Sequence, residues 1–231
     1  MTSYPLQRLH QSPAPLRDAI ISSLRGAIEI GELRPGARLV ERLLCDQLAV
    51  SRTSLREALR ELVADGLIVQ GADRSLVVAG ISEEEARSVY SLRSAIQGIV
   101  VAEFVERADE AAHDDFSAAA QALQSAYRAG DVADILTAKR HFYACLCAGA
   151  RNPVALSLIE RLCLRVSGLR SRAPGRTARN EVSAREIGEI AAAVAARDTA
   201  AARTAMSDHL ASVARWALAT LPFEAPAADR G

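Results

Sequence analysis

The sequence predicts a mostly α-helical chain: an N-terminal domain of three helices and a β-hairpin, then an antiparallel helical bundle. Three observations predict it. Apolar residues recur at three- and four-residue spacing along most of the chain, β-rich runs are confined to residues 67–79, and turn residues punctuate the helical segments at short intervals. With 231 residues, half of them hydrophobic, the chain can bury a substantial core, which excludes intrinsic disorder. Charges interrupt the apolar residues well short of the roughly 18 needed to cross a bilayer. The start, MTSYPLQRLHQS, lacks the basic-then-apolar order of a secretory signal, and four Cys without framework spacing point to a reducing compartment. A cytoplasmic protein with no membrane partner is expected.

The first helix runs from about Leu16 to Ile30, where Leu16, Ala19, Ile20, Leu24, Ala27 and Ile28 keep helical spacing, and it stops at Gly31. Two Gly and a Pro within Gly31–Gly36 make a turn. A short helix follows over about Glu41 to Leu48. Ser51 is a suitable N-cap for a third helix reaching about Asp65, which Gly66 ends. Leu67–Val69 and Leu76–Ala79, separated by Gln70–Ser75, have the order of a two-stranded hairpin. Beyond it, Ile81, Ser82 and Glu85 form a staple and capping box that opens a new helical region. Six helices are expected there, over 83–108, 110–129, 131–149, 152–171, 181–196 and 199–219. Ala108-Asp109, Gly130-Asp131, Asn152-Pro153, the Ser171–Thr177 loop and Arg197-Asp198 break them, and Pro222–Gly231 is a loose tail. The domain boundaries are therefore 10–80 and 82–221.

Three helices and a hairpin within 80 residues make a winged helix-turn-helix. Net charge is zero, with 28 basic and 28 acidic residues, so bulk electrostatics do not point to nucleic acid. Aromatic residues at 4% are too few for a base-stacking platform. The third helix carries a sharper signal. At 100° per residue, Leu55, Ala58, Leu59 and Leu62 share one side, while Arg52, Thr53, Arg56 and Arg60 lie nearly opposite. A solvated face is the bland reading of such charges. Cations in the first turns, however, oppose the helix dipole unless an anion is to be met. Arg52 and Arg56 have forked donors suited to guanine or phosphate, and Thr53 and Ser54 can donate to phosphate.

The run Pro35–Arg42, followed by Leu48–Leu62 and Asp65-Gly66-Leu67, resembles the DNA-binding domain of GntR-family transcriptional regulators. The resemblance implies base or phosphate contacts from Arg42, Arg52 and Arg56, backbone-holding roles for Ser51, Thr53 and Ser54, and a wing-tip role for Arg74 in the minor groove. Where the family has Asn-Arg-Gly at that tip, this chain has Asp73-Arg74-Ser75, which sets an acid beside the phosphates and removes the Gly that eases the turn.

Residues 82 to about 221, with Tyr90–Arg93, Asn152-Pro153 and Asp198–Leu210 in order, resemble the helical effector (FCD) domain of the FadR-type branch. In many such relatives an Asp and three His hold a divalent metal beside a small carboxylate ligand. Counting from Asn152 and Asp198, those positions here are Lys139, Tyr143, Ile187 and His209, so one ligand of four is kept. His141 lies about 200° round the helix from Tyr143 and does not substitute. The expectation is a pocket without metal or other cofactor, in which Arg93, Lys139, Tyr143 and His209 hold an anionic effector.

Cys145 and Cys147, with Cys45 and Cys163, read as small buried residues, and the consecutive Ser207, Asp208 and His209 do not face each other as a hydrolytic triad must. No phosphate-cradling glycine loop is present, and Trp216 and Leu218 read as packing. The sequence thus predicts no enzyme. The resemblance and half-site geometry imply a homodimeric regulator that sits on a palindromic double-stranded operator and is released by a small organic acid. Repression is favoured over activation because occluding a promoter needs nothing beyond tight binding, though the sequence does not decide between the two. The competing class is a small-molecule carrier or enzyme whose activity lies in the helical domain.

Overall fold

The computed structural model describes residues 14–71, 73–171 and 175–219. The first residues of the chain, the Pro222–Gly231 tail and the middle of the Ser171–Thr177 loop lie outside them. The chain forms two compact units, one of residues up to Ala27 with Pro35–Ala79, the other of Ile28–Arg34 with Gly80 onward.

In the first unit, α1 (Ala14–Ile30), β1 (Arg38–Leu39), α2 (Glu41–Leu48), α3 (Arg52–Ala64), β2 (Ile68–Gln70) and β3 (Leu76–Val78) follow in order. Ile20, Ile21 and Leu24 of α1 are buried, as are Leu55, Leu59 and Leu62 of α3 and Ile68 and Val78 of the strands. The connection between α2 and α3 turns at Ala49, whose φ of 51° is left-handed and whose N–H caps α2 on the Cys45 carbonyl. Gly66, at φ 71°, ends α3 as expected, and the Leu67 N–H closes on the Leu62 carbonyl at 3.0 Å.

The predicted hairpin is correct but incomplete. The antiparallel sheet has three strands in the order β1, β3, β2, with Arg38 opposite Val77 and Ile68 opposite Val78. A two-residue strand has no alternation to detect, so β1 leaves no periodic signal in the sequence.

The second unit is helical: α4 (Glu83–Arg107), α5 (Glu110–Ala129), α6 (Val132–Gly149), α7 (Pro153–Arg165), α8 (Ser167–Ser171), α9 (Arg176–Ala195) and α10 (Thr199–Ala219). Side-chain caps start five of them: Ser82, Asp109, Asp131, Asn152 and Asp198 each accept a backbone N–H three residues on, at 2.9–3.1 Å. α10 packs on α4 and α9, α5 on α6 and α9, and α7 on α4. The core centres on Phe104, Phe116 and Phe142, with ring centroids 4.9 and 5.0 Å apart in succession. Gly149 makes this possible: a Cβ there would lie 2.3 Å from the Phe104 ring.

Two boundaries differ from expectation. The segment expected as one helix over 152–171 breaks at Val166, and Ser167 donates its hydroxyl to the Leu164 carbonyl at 2.7 Å. α9 begins at Arg176 rather than 181, after Gly175 in the left-handed region. Among the described residues no helix is long and apolar enough to cross a membrane.

Candidate functional site

α3 has the two faces that its spacing predicts: Leu55, Ala58, Leu59 and Leu62 are each at most 2% exposed, while Arg52, Thr53, Arg56 and Arg60 are exposed. Ser51 fixes where the helix begins, because its hydroxyl accepts the Ser54 N–H at 3.1 Å and lies 2.9 Å from the Ser54 hydroxyl. These two hydroxyls serve the cap, so a phosphate would compete with an existing bond. Arg42 is exposed on α2. Its neighbour Glu41 accepts the Arg56 Nε–H at 2.9 and 3.1 Å on its two oxygens. Arg56 is thereby anchored at Nε.

At the wing, Arg74 is exposed with φ 62°. Asp73 accepts from the Ser75 hydroxyl at 2.5 Å and from the Ser75 N–H at 3.0 Å, and pairs with Arg38 at 3.1 Å. The Ser75 bonds, aided by the Arg38 charge, hold the Asp73 carboxyl below the usual carboxylate range. The acid at the wing is therefore engaged within the wing. Arg38 is a basic residue of this surface that sequence reasoning passes over, because only the register of β1 brings it there.

In the helical unit, Arg93 is 1% exposed, with its guanidinium over the Tyr90 ring, 5.3 Å from the centroid. Its Nε and Nη1 have no hydrogen-bond acceptor, nor does the Nε2 of the fully buried Gln97, whose Oε1 accepts from the Tyr143 hydroxyl at 3.0 Å. Buried donors without acceptors are costly and call for a partner. Gln97 is a neighbour that the sequence reading omits; it lies one helical turn after Arg93, on the same face of α4.

Between α5, α6, α9 and α10 a cleft encloses about 630 Å³ including its mouth. Glu29, Lys139, Ser167, Arg176, Arg179, Asn180 and Ser183 supply its polar lining, and Tyr127, Ile135, Leu136, Val213 and Trp216 are among the residues of its apolar wall. Of the four side chains assigned to an effector from sequence, Lys139 lines this cleft, whereas Arg93, Tyr143 and His209 are buried outside its lining. The cationic set on α9 is new.

Arg179 is fixed by Glu186, at 2.5 and 3.3 Å, and by the Ser212 hydroxyl at 2.6 Å. Glu186 also accepts the His209 Nδ1–H at 2.7 Å. Burial opposes the Glu186 charge, but the bonds from His209, Arg179 and Ser212 outweigh it and hold its pKa at about 2. Burial pushes the His209 imidazole below its ordinary value despite Glu186.

The positions that the resemblance associates with a metal do not fit one. The buried Lys139 cation would repel a dication, Ile187 is apolar and 2% exposed, the Tyr143 hydroxyl serves Gln97, and His209 is turned to Glu186.

Residues 16–78 match the family described as bacterial regulatory proteins, gntR family, and residues 88–212 match the FCD domain. The HTH-type transcriptional regulator McbR of Escherichia coli is 27% identical over 145 residues, 63% of this chain and 66% of that regulator, just under two thirds of its length. The HTH-type transcriptional repressor GlaR of Escherichia coli is 30% identical over 200 residues, 81% of this chain and 89% of GlaR. A crystal structure of a GntR-type regulator from Rhodococcus sp. RHA1 superposes with a TM-score of 0.77 at 24% identity. That superposition covers 90% of this chain and all of the other, and it shows the shared fold.

Proposed function

This chain belongs to the gntR family of bacterial regulatory proteins, with an FCD domain behind its helix-turn-helix, and from that premise we propose that it is a repressor. It acts in the cytoplasm as a homodimer on a palindromic operator and is released by a small organic acid, without catalysis of its own. The observation that carries the reading is the arginine face of α3, with Arg52 and Arg56 exposed opposite a buried leucine face and Arg74 at the wing tip. Arg52, Arg56 and Arg42 meet base edges or phosphates, Ser51, Thr53 and Ser54 hold the phosphate beside the helix start, and Arg74 enters the minor groove. Domains 10–80 and 82–221 divide reading from sensing.

Three unsatisfied donors on Arg93 and Gln97 support effector binding, because a carboxylate supplies acceptors of the kind they lack. Metal-free recognition would be by Arg93, Lys139, Tyr143 and His209, with Lys139 the one of the four that lines the cleft. Dimerisation is supported by Leu92 and Ile99 on α4 and Val154 and Leu158 on α7, apolar and 43–68% exposed on two helices that pack together.

The test is titration of duplexes from the chain's own upstream region, read by fluorescence anisotropy at several salt concentrations. One fragment should bind in preference to scrambled DNA, with affinity falling steeply as salt rises, and Arg52→Ala should remove the preference. Equal, salt-insensitive binding to every duplex would remove the reading. Arg93→Ala should abolish release by the effector while leaving operator affinity unchanged; loss of both together would count against the pocket.

A further inference from the structure

We infer that Arg38 is a second DNA-contacting cation of the wing: its guanidinium takes a backbone phosphate of the duplex, in exchange for the Asp73 carboxylate that holds it in the free protein. The inference rests on the reading of the first unit as a DNA-binding domain and adds a contact to it. Arg38 lies outside the positions that the sequence resemblance assigns to DNA. The register of the sheet brings it to the wing, since β1 pairs with β3 and sets Arg38 opposite Val77.

Three donors converge on one carboxylate. Asp73 Oδ1 accepts the Ser75 N–H at 3.0 Å and the Ser75 hydroxyl at 2.5 Å, while Oδ2 meets Arg38 Nη1 at 3.1 Å. These are the lengths and donor types with which proteins hold oxyanions, phosphate oxygens included. The two oxygens are not held alike. Oδ1 is tied to Ser75 inside a turn that the backbone also closes, with the Gly71 N–H on the Ser75 carbonyl at 2.7 Å and the Arg74 N–H on the Gly71 carbonyl at 2.9 Å. Oδ2 holds a long side chain from another strand. That pair is open to water, the Arg38 and Asp73 side chains being 64% and 56% exposed, so breaking it costs little. Arg38 can leave while the turn, and Asp73 with it, stays.

A phosphate rather than a base edge is the partner because of where Arg38 stands. A side chain that enters the minor groove from the tip, as Arg74 does in the proposed complex, lies between the phosphates of the two strands. Arg38 is on the edge strand β1, opposite Val77 and back from that tip. Phosphate is also the stronger competitor, because a duplex presents one negative charge per about 1.7 Å of its axis against the single charge of Asp73. The exchange leaves Asp73 beside the phosphates without its cation. Asp73 therefore lowers the affinity of the wing for DNA.

Four full-length proteins, the parent, Arg38→Gln, Asp73→Asn and the double variant, are titrated by fluorescence anisotropy over a range of salt concentrations. The probes are a labelled duplex from the chain's own upstream region and a scrambled duplex of the same composition. Asn at 73 keeps a side-chain oxygen for the Ser75 N–H, so the turn persists. Asp73→Asn is expected to tighten both duplexes about fivefold and to steepen the salt dependence by about one phosphate contact. The deciding comparison is the double variant against Asp73→Asn, where no stranded acid accompanies the loss of Arg38. The double variant should bind both duplexes about fivefold more weakly, with the slope reduced by about one contact and the ratio between the duplexes unchanged. Equal affinities in that comparison would mean that Arg38 only neutralises Asp73, and would overturn the inference. So would unchanged or weaker binding by Asp73→Asn, or a loss confined to the upstream duplex, which would assign Arg38 to a base edge. Failure of the parent to bind any duplex would instead remove the DNA-binding reading itself.

Discussion

The Arg56 Nε–H is shared between the two carboxylate oxygens of Glu41, at 2.9 and 3.1 Å, so helix α2 orients a side chain of helix α3. The edge of the guanidinium that carries Nη1 and Nη2 is left for a bidentate contact. Arg56→Lys should therefore lose sequence discrimination, by about 1–3 kcal/mol at one base pair, more than it loses general affinity. Glu41→Ala, which removes an acid and frees the guanidinium, should strengthen binding to scrambled DNA while weakening discrimination. Competition of operator against scrambled duplex checks both; an unchanged ratio in both variants would show that Arg56 touches only phosphate.

Arg74 occupies the left-handed region at φ 62° in a turn where Gly adopts that conformation without cost. Arg74→Gly should raise stability by about 1 kcal/mol through relief of this strain. The same change should reduce operator affinity and flatten its salt dependence by about one phosphate contact. Thermal melts and salt-dependent titrations separate the two effects. A variant that loses stability would show that the Arg74 side chain supports the wing.

Gly149 marks the closest approach in the helical core, where an added Cβ would stand 2.3 Å from the Phe104 ring. Phe104 is locked between His113 and Phe116, with centroids 5.1 and 4.9 Å away, and cannot swing aside without disturbing both. Gly149→Ala should destabilise by about 1–3 kcal/mol, the usual cost of overpacking. Denaturant unfolding measures it, and a neutral result would mean that α4 and α6 part more readily than their packing implies.

What the sequence revealed about this fold was whatever repeats or caps. The Leu55, Ala58, Leu59 and Leu62 stripe, the Ser51 and Ser82 caps and the Gly66 stop are local signals, and the structure places each where its chemistry predicts. β1 was illegible because two residues carry no period, and the break at Val166 because Ser167 bonds back to Leu164 inside an otherwise helical pattern. In the cleft, Lys139 was legible from its place in the chain. Arg179 was not, since its partners Glu186 and Ser212 lie 7 and 33 residues away and meet it only once α9 packs on α10. Gln97 escaped for the opposite reason, as a neutral amide on a helix face gives no charge signal until Tyr143 is seen donating to it.

The cluster of Glu186, Arg179 and His209 makes acid the weak side of this fold. Burial, aided by the facing charges of Arg179 and Lys139, depresses the folded pKa of His209 below 6.5, so the unfolded chain binds the extra proton first and stability declines as pH drops below about 6.5. Glu186 has a folded pKa of about 2 against an ordinary 4.5; its contribution is complete above about 4.5 and is lost as pH falls toward about 2. Tm should thus be flat near pH 7.5, fall as pH drops below about 6.5, and fall further below about 4.5. His209→Gln should lower Tm at neutral pH, because Glu186 loses a donor, yet remove the first decline, because no buried imidazole remains to be protonated. A parent profile that stays level from pH 7.5 to 5, or a variant that keeps the first decline, would place the acid sensitivity elsewhere in the fold.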